Sequence, residues 1–101
     1  MMMTVSMDTE AGNAAIRNGK LAAMIQKMVA EIKPEAVYFI ADDDGHRSGI
    51  IVFDMKDSSQ MPALAEPWFL GCNATVKFRP AMNPADFAAA GPAVERAIKE
   101  N

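Results

Sequence analysis

The stretch "YFIADDDGHRSGIIVFDM", residues 38–55, decides how this chain folds. Two apolar runs, Tyr38-Phe39-Ile40 and Ile50-Ile51-Val52-Phe53, flank a polar segment with Asp44-Gly45 at its centre. Asp-Gly between apolar runs is a hairpin signal, suited to a primed turn with positive φ. A two-residue loop of that kind predicts Asp42 opposite Arg47 as a cross-strand pair. A strand with one face in water alternates apolar and polar residues. Neither run does so, and both faces of the hairpin therefore read as buried. One face can be covered by the chain's own helices, and the other needs a second cover.

Working outward, residues 1–7 do alternate, with Met3, Val5 and Met7 on one side and Met2, Thr4 and Ser6 on the other. That is a half-buried strand. Asp8 and Thr9 are placed to cap a helix beginning near Glu10. Leu21, Met24, Ile25, Met28 and Ile32 then form one apolar stripe at helical spacing. Gly19 weakens this helix but need not end it, and Lys33-Pro34 stops it. Residues 35–41 and 48–55 are the hairpin strands. In "KDSSQMPALAEPWFLG" one of Asp57, Ser58 and Ser59 caps a short helix that Pro67 kinks or ends, and Gly71 turns the chain into a fourth strand, "NATVKFRP". Asn83-Pro84 opens a last helix, which Gly91-Pro92 breaks in two.

The order β-α-β-β-α-β plus a C-terminal helix is that of the ferredoxin-like α+β sandwich, a single domain over residues 1–101. Right-handed crossovers predict strand order 4-1-3-2 with the helices on one face. The other face of strands two and three would then be bare and apolar, which monomeric soluble proteins seldom tolerate. The expected cover is the same face of a second copy, giving a homodimeric barrel. The alternative is a fold-back of the C-terminal helix, whose broken, alanine-rich sequence offers little apolar area.

Composition narrows the function classes. The net charge is −3, against the basic face expected of a nucleic-acid binder. No apolar run approaches the ~20 residues of a membrane span. The N-terminus lacks the basic start and apolar stretch of a secretory signal, so a cytoplasmic protein is expected. One cysteine, Cys72, permits neither an internal disulfide nor a cysteine-based zinc site. Neither a phosphate loop nor a dinucleotide fingerprint is present, and no cofactor is expected.

The order of elements resembles the dimeric α+β barrel superfamily, which includes muconolactone isomerase-like proteins, small cofactor-independent monooxygenases and stress-responsive barrel proteins. The run "FDMKDSSQMPALAEPWF", followed by "NATVKFRPAMNPADF", lies between Phe53 and Phe87 and resembles a small bacterial domain family without an assigned activity. Its most specific part is Pro62-x-Leu64-Ala65-Glu66-Pro67-Trp68. The resemblance implies the fold and a dimer and supplies no chemistry.

The residues themselves offer weak candidates. Lys77 and Arg79 alternate on one face of strand four beside Thr75; if Val76 and Phe78 face the helices, these polar groups point to the dimer side with Thr4 and Ser6. Such a wall, opposite apolar residues of strands two and three, suits a small organic anion or aromatic acid. Its bland counterpart is a solvated edge strand that deters strand addition. Tyr38 and Trp68 are further lining candidates, though each is more often packing. As acid/base groups we consider Glu66 beside the kink and Trp68, Asp54 with Lys56 or Arg79 as partner, and His46 at the hairpin tip. An exposed turn histidine is far commoner than a catalytic one. Asp42-Asp43-Asp44 with His46 lacks calcium-loop spacing, and no metal site is expected. Cys72 and His46 lie at one end of the sheet but on opposite edge strands, about 14 Å apart at ~4.8 Å per strand, too far for a nucleophile–base pair. The function expected is binding of a small organic ligand, with a cofactor-independent isomerase or monooxygenase as the alternative.

Overall fold

Alternation in the first residues is realised as β1 (Met2–Ser6), the second strand in from one edge of a four-stranded antiparallel sheet. The computed structural model describes all 101 residues. The hairpin supplies β2 (Ala36–Ala41) and β3 (Arg47–Val52), and β4 (Thr75–Arg79) closes the sheet in the order β2-β3-β1-β4. This is the expected 4-1-3-2 order read from the other edge. Helices α1 (Thr9–Arg17), α2 (Lys20–Ile32) and α3 (Met61–Cys72) make a small α+β fold with it.

Register assigns the two faces, because directly paired residues of antiparallel strands share a side. Met3 lies between Ile51 and Phe78, and Val5 between Gly49 and Val76. On this face Met3, Val5 and Ile51 are buried, in one cluster with Ala15, Met28, Trp68 and Cys72 from the helices. Each large side chain withdrawn in this way stabilises the fold by about 1.5–3 kcal/mol. On the opposite face Thr4 lies between Ile50 and Lys77, Ser6 between Ser48 and Thr75, and Met2 between Val52 and Arg79. Tyr38 and Ile40 complete that face on β2, opposite Ile50 and Ser48. No helix covers it, and both are exposed. It is divided lengthwise: apolar on β2–β3, polar on β1–β4.

Several local expectations are corrected. The hairpin loop is longer than two residues. Ala41, not Asp42, pairs with Arg47, whose guanidinium instead donates to Asn13 Oδ1 at 2.8 Å. Asp42 and His46 flank the loop, and only Gly45 has positive φ, so the turn is not primed. A type I turn closed by a glycine in the left-handed region meets this description. Gly19, at φ 75°, does end the first helix, with Asn18 Oδ1 accepting from Lys20 N–H. Pro67 does not stop α3, which runs five residues further. Its missing N–H removes one helical bond, while Trp68 beside it buries an indole in the core. Gly71 stays helical, and the exit is made at Asn73, φ 47°. Asparagine tolerates that conformation.

Lys33, which closes α2, has the same left-handed backbone (φ 46°, ψ 64°) without that tolerance. An L-residue there costs about 1–2 kcal/mol, and glycine's extra chain entropy offsets about 0.5–1 of the relief. Lys33→Gly should therefore raise stability by up to about 1.5 kcal/mol, read as a higher urea midpoint with an unchanged m-value. A lowered midpoint would contradict this.

Beyond β4 the chain enters α4 (Pro84–Ala89) and α5 (Gly91–Glu100). Asn83 Oδ1 accepts from Asp86 N–H at 2.8 Å and Asp86 Oδ2 accepts from Asn83 N–H at 3.2 Å, a reciprocal cap that starts α4. Neither helix has a buried residue. The fold-back of this segment over the bare sheet face is not seen. No helix of the protein is long and apolar enough to cross a membrane.

Candidate functional site

The polar half of the uncovered face is not flat. Thr4, Ser6, Thr75, Lys77 and Arg79 form one wall of a concavity of about 490 Å³, as strand alternation predicts. The hairpin tip, Asp42–Asp44 and His46, lines the same concavity. Asp8 and Asn73 line it too. The chain's three ion pairs are Lys27–Glu31, His46–Asp42 and Lys56–Asp54. Lys77 and Arg79 are in none of them and face the concavity without a carboxylate partner.

The tip is ordered by one side chain. Asp42 Oδ1 accepts from His46 N–H at 2.8 Å and from Asp44 N–H at 2.9 Å, while Oδ2 lies 3.4 Å from His46 Nδ1. The His46 backbone N–H, followed by that of Asp44, the imidazole and the Ser6 hydroxyl, holds the Asp42 carboxyl below its ordinary pKa of 3.8. Beneath it the Ser48 hydroxyl, itself buried, lies 3.1 Å from both the His46 carbonyl and the Ser6 hydroxyl. A depressed carboxylate contributes order that is complete above 3.8 and lost as pH falls through the lower, folded value. The amide resonances of Asp44 and His46 should accordingly titrate with a midpoint below 3.8. Asp42→Asn, which keeps an oxygen acceptor, should abolish that transition and retain the turn. A midpoint at or above 3.8 would overturn the assignment.

Asp42, Asp44 and His46 also place three donor atoms within 4.8 Å of one another. The hydrogen bonds of the turn account for that proximity, and we assign no metal to it.

The remaining candidates lie elsewhere. Asp54 is exposed and pairs with Lys56 Nζ at 2.6 Å, the hydrogen bond that chiefly lowers its pKa. Of its two expected partners Lys56 is the one it takes. Glu66 is exposed on α3, in the helix layer. Trp68 is buried in that layer and edges a smaller apolar hollow with Met24, Met28 and Leu64, away from the cations. Tyr38 shares the face of Lys77 but lies on its apolar half. Cys72 is fully buried, and burial raises its thiol pKa; Cys72 and His46 line no common cavity.

Sequence reasoning brings together Thr75, Lys77, Arg79, Thr4 and Ser6. It misses the acidic tip as part of the lining. The pairing of Ser6 with Ser48, two residues from His46, brings the tip to the end of β1, and that register is set by the sheet rather than by any local stretch of sequence. Chemically, the arrangement offers two free cations, three hydroxyls and, in the same concavity, an imidazole beside a carboxylate. The chain matches no family model, no curated protein and no solved structure.

Proposed function

We propose that this protein binds a small organic anion on the polar half of the uncovered sheet face, and that a second copy closes the site. The observation that carries the reading is the pair Lys77 and Arg79, two strand positions apart on one face, without ion-pair partners, beside the Thr4 and Thr75 hydroxyls. Guanidinium and ammonium groups left free beside hydroxyl donors suit a carboxylate. In one chain the concavity is open. A two-fold axis parallel to the strands would set β4 of one copy over β2 of the other. The apolar half bearing Tyr38, Ile40 and Ile50 would then roof the cations and supply the aromatic side of a ligand site. That arrangement is a dimeric α+β barrel, the assembly implied by the resemblance of the sequence, and it hides the apolar half as well.

A second reading, a cofactor-independent isomerase or monooxygenase, is favoured by one observation: His46, 3.4 Å from Asp42, lines the same concavity as the two cations. A carboxylate that fixes Nδ1 leaves Nε2 as the proton-exchanging atom, with Lys77 and Arg79 steadying an oxyanion. Neither Glu66 nor Asp54 lines it. A thermal-shift series with benzoate, phenylacetate and succinate tests binding. Stabilisation by none of them would end the first reading. Turnover that survives His46→Gln would end the second.

A further inference from the structure

The concavity on the uncovered face holds charges of both signs that do not pair with each other. Lys77 and Arg79 stand on β4, two strands over from β3, an offset of about 10 Å at ~4.8 Å per strand. The acids of the tip belong to the loop that joins β2 to β3. Lys77 is level with Thr4 and Ile50, whereas that loop meets β3 at Arg47, about 10 Å further along the strand at ~3.4 Å per residue. No ion pair spans the offset.

Four carboxylates, those of Asp8, Asp42, Asp43 and Asp44, share the lining with the two cations. Two of them are committed within the fold. Asp8 Oδ2 accepts from Ala11 N–H at 2.9 Å at the start of α1, and Asp42 holds the turn. Asp43 and Asp44 are exposed and their carboxylates have no partner; Asp44 gives the turn only its backbone N–H. A free pair of acids and a free pair of cations therefore border one space of about 490 Å³. A simple carboxylate satisfies half of this. It gains the cations and meets an excess of negative charge, because acids outnumber cations in the lining four to two. A cationic group on the same molecule turns that repulsion into attraction, and charges held apart in one hollow are the complement of a molecule that carries both.

We propose that the ligand of this site is a zwitterion, an aminocarboxylate whose carboxylate meets Lys77 and Arg79 and whose ammonium meets Asp43 and Asp44. The inference rests on the anion-binding reading above and names the class of anion. The Ser6 and Thr75 hydroxyls are paired in register between the level of Lys77 and the tip, and a hydroxyl can donate to the carboxylate or accept from the ammonium. The same acids that set the amino end in place select against acids that lack one.

Ligand pairs that differ by one amino group test this by calorimetric titration at neutral pH: 4-aminobutanoate against butanoate, and phenylalanine against 3-phenylpropanoate. In at least one pair the amino compound should bind at least about 10-fold tighter, the effect of one charge-assisted hydrogen bond. Asp43→Asn/Asp44→Asn should bring that ratio below about twofold, since it removes the charge and keeps the backbone N–H on which the turn depends. If acids without the amino group bind as tightly as their partners, the zwitterion falls and the anion reading stands. If no member of either pair binds, both fall. A preference that survives Asp43→Asn/Asp44→Asn would overturn the assignment of the ammonium to the tip.

Discussion

Replacing Lys77 and Arg79 together by alanine should abolish stabilisation by every carboxylate that shifts the wild-type melting temperature. Each charge-assisted hydrogen bond contributes about 1.5–3 kcal/mol, so losing two weakens binding by roughly 10²–10⁴-fold. The fold should be indifferent. Both side chains are exposed, neither is in an ion pair, and such surface substitutions stay within about 0.5 kcal/mol. That separation makes the test sharp: an unliganded melting curve like wild type, with the ligand response gone. Lys77→Arg should keep most of the response, because the charge stays on the same wall. If the double variant responds like wild type, the cations are ordinary edge-strand solubility residues and the anion site does not exist.

Trp68→Ala should be the most destabilising single truncation, lowering stability by about 3–5 kcal/mol. Trp68 is 4% exposed and belongs to the cluster that joins α3 to Met3, Val5 and Ile51. A domain of this size has about 5–15 kcal/mol in total. At 4–8 °C per kcal/mol, the melting temperature should fall by at least about 12 °C. Leu70, in the same helix and 83% exposed, is the control, and its alanine variant should differ little from wild type. Trp68→Phe, which keeps an aromatic in the hole, should recover part of the loss. A change under 1 kcal/mol in Trp68→Ala would show that α3 is not anchored through this residue.

The large elements were legible because each announces itself over several residues. Met3, Val5 and Met7 alternate and are buried; Leu21, Met24, Ile25 and Met28 recur at helical spacing and face the sheet. Caps were readable for the same reason: Asp8 accepts from Ala11 N–H at 2.9 Å, and Asn83 closes its reciprocal cap. The misreadings cluster where two local structures use the same letters. Asp-Asp-Asp-Gly suits either a primed two-residue turn or the longer loop, and the choice fell to the Asp42 carboxylate, which captures two backbone N–H groups at once. Pro67 read as a kink or an end and Gly71 as a turn, yet the burial of Trp68 and Cys72, which follow them directly, carries the helix through to Asn73.

For the candidate site the division is similar. Strand alternation alone put Thr75, Lys77 and Arg79 on one side and Val76 and Phe78 on the other, since a pleated backbone sends successive side chains to opposite faces whatever its surroundings. The strand order then followed from crossover handedness, which is a property of L-residues. What local rules could not supply was the company these side chains keep. The acidic tip shares a concavity with the cations because Ser48 pairs with Ser6 at the end of β1, and the last two helices bury nothing against their own sheet. Both facts concern positions dozens of residues apart, set by how whole elements pack, and no short window of sequence contains them.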